Sequence, residues 1–224
     1  MKQTKKQKAL ATLDTDKVYA LADAIETLRG VASKKFDETL EIAVRLGIDV
    51  TKADQNIRGM LSLPHGTGKT VRVAVFTANS QDEAKKAGAD VVGGEELIDK
   101  VAGGEINFDR VIATPDMMPK MSKIARVLGP KGLMPNPKLG TVTNNVAEAV
   151  ATAKAGQIEY RAEKKGIIHA GVGKMSFKTE QLVENANALI EQLKKVKPAS
   201  SKGQYILGIS VSTTQGPGLK VDAK

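Results

Sequence analysis

The sequence predicts an α/β protein of two domains. One is a split α+β domain built from both chain ends, with a sheet covered on one side. The other is a small Rossmann-like parallel α/β domain inserted into it. Three observations carry this reading. Toward both ends, apolar and polar residues alternate, as in Leu40, Ile42, Val44, Leu46 and Ile48, and period two with one polar face marks a sheet with one wet side. In the middle, short continuous apolar runs such as residues 71–76 alternate with helical stretches, the pattern of a parallel sheet buried on both faces. Finally, each end has too few elements to bury its own apolar face, so the two ends are expected to complete one another.

The elements follow in order. Residues 1–13 form a lysine-rich arm. Asp14-Thr15-Asp16 is read as the cap and acidic first turn of a helix. Val18, Leu21, Ala22, Ile25 and Leu28 recur along it at helical spacing, and Gly30 ends it. The front strand follows, with Thr39, Glu41, Ala43 and Arg45 on its polar face. A second strand is expected at 57–63, and Pro64-His65-Gly66-Thr67-Gly68 breaks the pattern as a loop or hinge. In the middle, strands are expected at 71–76, 90–92 and 110–113. Helices are expected at 82–87, 95–101, 116–127 and 146–155. Residues 129–141, GPKGLMPNPKLGT, carry three prolines and three glycines. They are read as a long loop of defined shape, with Leu133 and Met134 tucked in and Lys131 and Lys138 left out. Beyond Gly156 the alternating style returns around Ile158 and Tyr160 and at 167–172. A helix capped by Thr179 carries Leu182, Val183, Ala186, Leu189, Ile190 and Leu193. The last strand places Tyr205, Leu207, Ile209 and Val211 on one face, with Ile206, Gly208, Ser210 and Ser212 on the other. Residues 213–218 form a tight, hydroxyl-rich turn. The domain boundaries that follow are 1–67 with 159–224 for the split domain and 68–158 for the insert. The two crossings would form a hinge.

Composition narrows the function. The chain of 224 residues has no cysteine and only His65 and His169, which excludes thiolate metal sites and disfavours a histidine-built zinc site. No apolar run reaches the roughly 18 residues needed to span a bilayer. The opening MKQTKKQKALATL lacks an apolar h-region and is not read as a secretory signal. The formal charge is +9, the usual footprint of a polyanion partner. It is unevenly spread: +2 over residues 1–67, +2 over 68–158 and +5 over 159–224. If the ends fold together, the polyanion face should be theirs.

Motifs of catalysis do not assemble. Gly66-Thr67-Gly68-Lys69-Thr70 resembles the end of a phosphate-binding loop, but Leu63 stands where the first glycine is needed. The glycines also lead into a strand, whereas such a loop opens a helix. Gly93-Gly94 and Gly103-Gly104 belong to no complete dinucleotide fingerprint. No cofactor is expected. Three clusters fit RNA better. The first is Lys34, Lys35, Phe36 and Thr39, where lysine meets phosphate and the ring either stacks on a base or sits at a core edge. The second is Arg161, Lys164, Lys165, His169 and Lys174, equally a solvated hairpin. The third is the stretch 212–217, whose hydroxyls and bare backbone suit phosphate and 2′-hydroxyl contacts or form an ordinary turn. They become one site only if they meet on one face.

Residues 129–141, with KKFDETLEIAVRLGID at 34–49, GKTVRVAVF at 68–76 and STTQGPG at 212–218, resemble the ribosomal protein L-one family over nearly the whole chain. The length suits a bacterial member. The resemblance implies a two-domain structural protein of the lateral stalk of the large ribosomal subunit, with no enzymatic activity, cytoplasmic and monomeric when free. It implies binding to stalk-region rRNA, assistance in releasing deacylated tRNA from the exit site, and repression of its own operon through the mRNA leader. Carried over by motif, the RNA-binding residues are Lys35, Phe36, Thr39, His169, Lys174, Ser176, Thr213, Thr214, Gly216 and Pro217. Lys131 and Lys138 are a possible secondary RNA contact. Gln215 stands where relatives often carry methionine, and Gly208 where some carry serine. The alternatives are a free RNA-binding translational repressor and a nucleotide-binding enzyme.

Overall fold

The computed structural model describes residues 13–33, 35–201 and 203–222. The arm at 1–12 and Lys34 lie outside the described residues. By contacts the chain divides into two compact units, one ending at Gly68 and resuming at Ile158, the other running Lys69–Gln157.

The first unit is a five-stranded sheet in the order β1-β10-β9-β2-β8. Its strands are β1 (Val18–Tyr19), β2 (Thr39–Leu46), β8 (Ile167–Lys174), β9 (Ile206–Thr213) and β10 (Leu219–Val221). The front strand β2 thus lies between two strands from the far end of the chain, antiparallel to both. Its alternation holds: Leu40, Ile42, Val44 and Leu46 are buried, while Glu41 and Arg45 are exposed. Helix α1 (Leu21–Val31) supplies Ala24, Ile25 and Leu28 to the same core, and the long C-terminal helix (Thr179–Lys195) supplies Leu182, Ala186, Leu189 and Leu193. Both helices cover one face. Each fully buried leucine contributes about 1.5–3 kcal/mol through the area it removes from water. A separate pair, β3 (Arg58–Ser62) and β7 (Gln157–Arg161), stands beside this sheet.

Two expectations are corrected here. Val18 does not begin a helix: Val18 and Tyr19 pair in parallel with Lys220 and Val221 of β10. Asp14 accepts the N–H groups of Asp16 (3.0 Å) and Lys17 (3.3 Å) in a turn before that strand, and the helix starts at Leu21 and runs one residue past Gly30. The partner strand β10 carries no long apolar run of its own, so the pairing had no local signal. In β9, Leu207 is 46% exposed while Ile206 is buried. The register against β2 shifts between Arg45 and Leu46, from Gly208 to Ile206. The extra residue at this bulge inverts the alternation below it. Residues 64–68 form a loop, as expected, and it is fastened to this unit. The buried side chain of Asn185 accepts the His65 N–H (3.1 Å) and donates to Gly66 O (3.0 Å) and Val172 O (2.7 Å).

The second unit is a parallel sheet in the order β5-β4-β6. Its strands are β4 (Val73–Phe76), β5 (Val91–Gly93) and β6 (Arg110–Ala113). Every residue of β4 is buried, because both faces are covered. Ala74, Phe76, Val111 and Ala113 face α3 (Glu95–Ala102) and a chain of short helical turns from Pro115 through Leu128, α4 (Met118–Met121) and α5 (Ala125–Leu128) among them. Val73, Val75 and Ile112 face α2 (Gln81–Lys86) and α6 (Val146–Lys154). The long Thr179–Lys195 helix of the first unit is α7. The fold class is therefore the expected one, a mixed α/β chain with a sheet from both ends and an inserted parallel sheet.

The loop at 129–141 has a fixed shape. Leu133 and Met134 pack on the α3 side of the core, and Leu139 is buried. Asn136 Oδ1 accepts the Lys138 N–H (2.9 Å), and Thr141 Oγ1 accepts the Asn136 N–H (2.8 Å) while donating to Asn136 O (3.1 Å). Lys131 and Lys138 are exposed.

Asn185→Ala removes three hydrogen bonds and leaves the His65 N–H and the Gly66 and Val172 carbonyls to find other partners. At about 1 kcal/mol per neutral bond, the loss of stability is roughly 2–4 kcal/mol. Urea unfolding followed by circular dichroism measures it.

Candidate nucleic-acid interface

The pairing of β2 with β8 and β9 brings three distant segments to one end of the sheet. Thr39 lies opposite Lys174, and Leu40 lies opposite both Gly173 and Thr213. The lead-in to β2 carries Lys35 and Phe36. The segment after β8 carries Ser176, and the turn after β9 carries Thr214, Gly216 and Pro217.

The polar groups at this end are largely occupied by one another. Asp37 is the organiser. Its Oδ1 accepts the Ser176 N–H (3.0 Å), its Oδ2 accepts the Ser176 hydroxyl (2.7 Å), and its backbone oxygen accepts Lys174 Nζ (3.0 Å). Lys174 Nζ also donates to Thr39 Oγ1 (3.1 Å). Thr214 Oγ1 accepts the Thr39 N–H (3.0 Å), fastening the last turn to the first residue of β2. Glu38, 1% exposed, accepts the Ser33 N–H (2.8 Å) through Oε1, and its backbone oxygen accepts the Met175 N–H (2.8 Å).

The candidates therefore separate by what they present. Lys35 is exposed, and Phe36 is 43% exposed. The Thr214 side chain is exposed although its oxygen holds the Thr39 N–H. Thr213 is buried, its hydroxyl is without a hydrogen bond, and it lies beneath Gly216. A β-carbon at Gly216 would overlap Thr213 Oγ1, so the glycine is required by close approach and not by a left-handed backbone. His169 stands apart, exposed on the wet face of β8 opposite Ala43. Lys131 and Lys138 belong to the other unit.

Asp37 and Glu38 were not among the sequence candidates. Their signal was present in the acidic pair that interrupts a basic and aromatic run, but only the fold shows that this pair ties β2 to the segment after β8. With Asp37, Glu38 and Glu41 beside Lys35 and Lys174, the strand end is not a strong cationic patch. It is a shaped surface with one exposed ring. Among the described residues, no group of three or more His, Asp or Glu could hold a metal ion, and no helix is long and apolar enough to cross a membrane.

Gly216→Ala forces the 214–217 turn away from Thr213 and weakens its bond to Thr39. The expected outcome is a measurable fall in thermal stability, on the scale of a cap loss, about 1 kcal/mol. Proton exchange at the Thr39 amide, faster than in the wild type, reports the released turn.

Comparison with known protein families matches residues 28–217 to the Ribosomal protein L1p/L10e family. The match spans both units and includes every segment of the strand-end cluster. That family is one of structural, non-enzymatic ribosomal proteins, and membership implies rRNA binding. The chain belongs to the Ribosomal protein L1p/L10e family.

Proposed function

We propose that this protein is a bacterial-type component of the large-subunit lateral stalk and grips stalk-region rRNA with the strand end of its split unit. Residues 1–67 and 159–224 act as the RNA-binding domain, and 68–158 as the inserted domain. The observation that carries this reading is the convergence of Lys35–Phe36, Lys174–Ser176 and the 213–217 turn on one end of a sheet, in a chain of a ribosomal family. Phe36 stacks on a base or ribose, and Lys35 meets phosphate. The internally bonded Asp37–Ser176–Lys174–Thr39–Thr214 network supplies a preformed shape, which lowers the ordering cost of binding. A folded RNA is recognised by such a surface more through shape than through charge.

In the ribosome this protein assists release of deacylated tRNA from the exit site. Free in the cytoplasm as a monomer, it represses its own operon by binding an mRNA leader that offers the same shape. The inserted unit makes the secondary contact through Lys131 and Lys138. Its small net charge conceals a strong segregation: residues 117–147 contain Lys120, Lys123, Arg126, Lys131 and Lys138 and no Asp or Glu. Lys120 is paired with Glu95. Lys131 and Lys138 have no acidic neighbour in sequence and are exposed.

Co-sedimentation with large ribosomal subunits through a salt series tests the assignment. Retention at physiological salt is expected, and free protein at every salt concentration would leave only the free repressor. In filter binding to a stalk-region rRNA transcript, Phe36→Ala is expected to cost roughly 1–3 kcal/mol, the scale of a lost base stack. Thr214→Val is expected to weaken binding by releasing the turn. The double change Lys131→Ala with Lys138→Ala should cost less than Phe36→Ala; an equal loss would make the loop part of the main site.

A further inference from the structure

A cleft of about 990 Å³ opens in the split unit beside the β7–β8 turn, lined by Val50, Asn56, Arg161, Lys164, Lys165 and His169, with Glu159 and Glu163 at its wall. The turn is built firmly. The Gly166 N–H donates to Glu163 O (2.8 Å) and the Glu163 N–H to Ile167 O (2.9 Å), leaving Lys164 and Lys165 as its two central residues. Gly166 takes φ of 72°, the left-handed conformation that closes such a turn. Its oxygen accepts the Leu46 N–H (2.9 Å), which clamps the turn to the end of β2. The two lysines therefore stand on a rigid base.

The charges in the cleft are unbalanced in one direction. Glu159 is engaged by Arg58 at 2.8 Å. Glu163 lies 3.9 Å from the His169 ring. Arg161, Lys164 and Lys165 are exposed, and none of them takes part in an ion pair among the described residues. Three cations are thus held together on a fixed frame, while the strand end carries acids beside its own lysines. His169 links the two regions: it lines the cleft and sits on the wet face of β8, five residues before Lys174. Five residues of strand span about 15 Å.

We propose that this cleft is a second phosphate-binding site for the same RNA, taking the sugar–phosphate backbone of a strand that runs on from the strand-end interface past His169. Resting on the RNA-binding reading above, it assigns the two components of binding to different places. The strand end recognises shape, and Arg161, Lys164 and Lys165 release counterions. Arg161 suits bidentate contact with a phosphate, and the paired lysines act as point charges.

The test is filter binding of a stalk-region rRNA transcript across a potassium chloride series. It compares the wild type, Phe36→Ala, the triple variant R161Q/K164Q/K165Q and the charge-keeping variant R161K/K164R/K165R. All three positions are exposed, and circular dichroism melting verifies the fold. The triple variant is expected to lower the steepness of log affinity against log salt by about 2–3, since each neutralised phosphate contributes about 0.7–0.9. The charge-keeping variant should retain most of the slope, and Phe36→Ala should weaken binding with the slope unchanged. If the wild type does not bind the transcript, the RNA reading falls and this proposal with it. If the wild type binds and the triple variant keeps both affinity and slope, this proposal alone is overturned. Unchanged transcript binding with weaker co-sedimentation on whole subunits also overturns it, and assigns the cleft to a protein partner.

Discussion

The fold of the split unit depends on one pairing, the insertion of β2 between β8 and β9. A strand near the start of the chain hydrogen-bonds on both edges to strands from its far end. Until that pairing forms, the alternating apolar sets of β2, β8 and β9 have no common core, and α1 and α7 have no sheet to cover. The entropy of bringing such distant segments together is offset only when the whole layer assembles. The same pairing places Thr39 against Lys174 and Leu40 against Thr213, so core and strand-end surface arise in one event.

The strand end shows how a surface can be shaped without being strongly charged. Asp37 engages Ser176 through both carboxylate oxygens, and its backbone oxygen takes Lys174. Thr214 holds the first amide of β2. These groups define relief more than they offer free donors. What remains presented outward is the Phe36 ring, Lys35 and the backbone of a turn that glycine alone can bring over Thr213. Stacking and close backbone contact suit a folded RNA whose bases are splayed from a helix. On the proposal above, long-range attraction comes from the cations of the Lys164–Lys165 turn, which Gly166 clamps to the end of β2.

The inserted unit makes a related point about charge. Its net value is small, yet all five cations between residues 117 and 147 stand without an acid among them in sequence. The remaining surface of that unit is acidic on balance. A sum over a domain hides such a division, and only the distribution along the chain reveals it.

Much of this molecule was legible in the order of its residues. Period two announced β2, and the continuous apolar run announced the doubly covered β4. The prolines and glycines of 129–141 announced a shaped loop with Leu133 and Met134 inside, and distinctive motifs pointed to the family. These features are local: a residue's own neighbours carry the signal. What the tertiary structure alone decided depended on partners far away in sequence. Val18 and Tyr19 became a strand because β10 offered them an edge. Leu207 turned outward because a bulge against β2 shifted the register. Asp37 became the centre of the strand end because Ser176 and Lys174 arrive beside it. Sequence determined most of the strands, helices and turns and the chemistry they carry. The fold decided which side chains are spent holding segments together and which are left for a ligand, because a hydrogen bond already made inside the protein is not offered outside it.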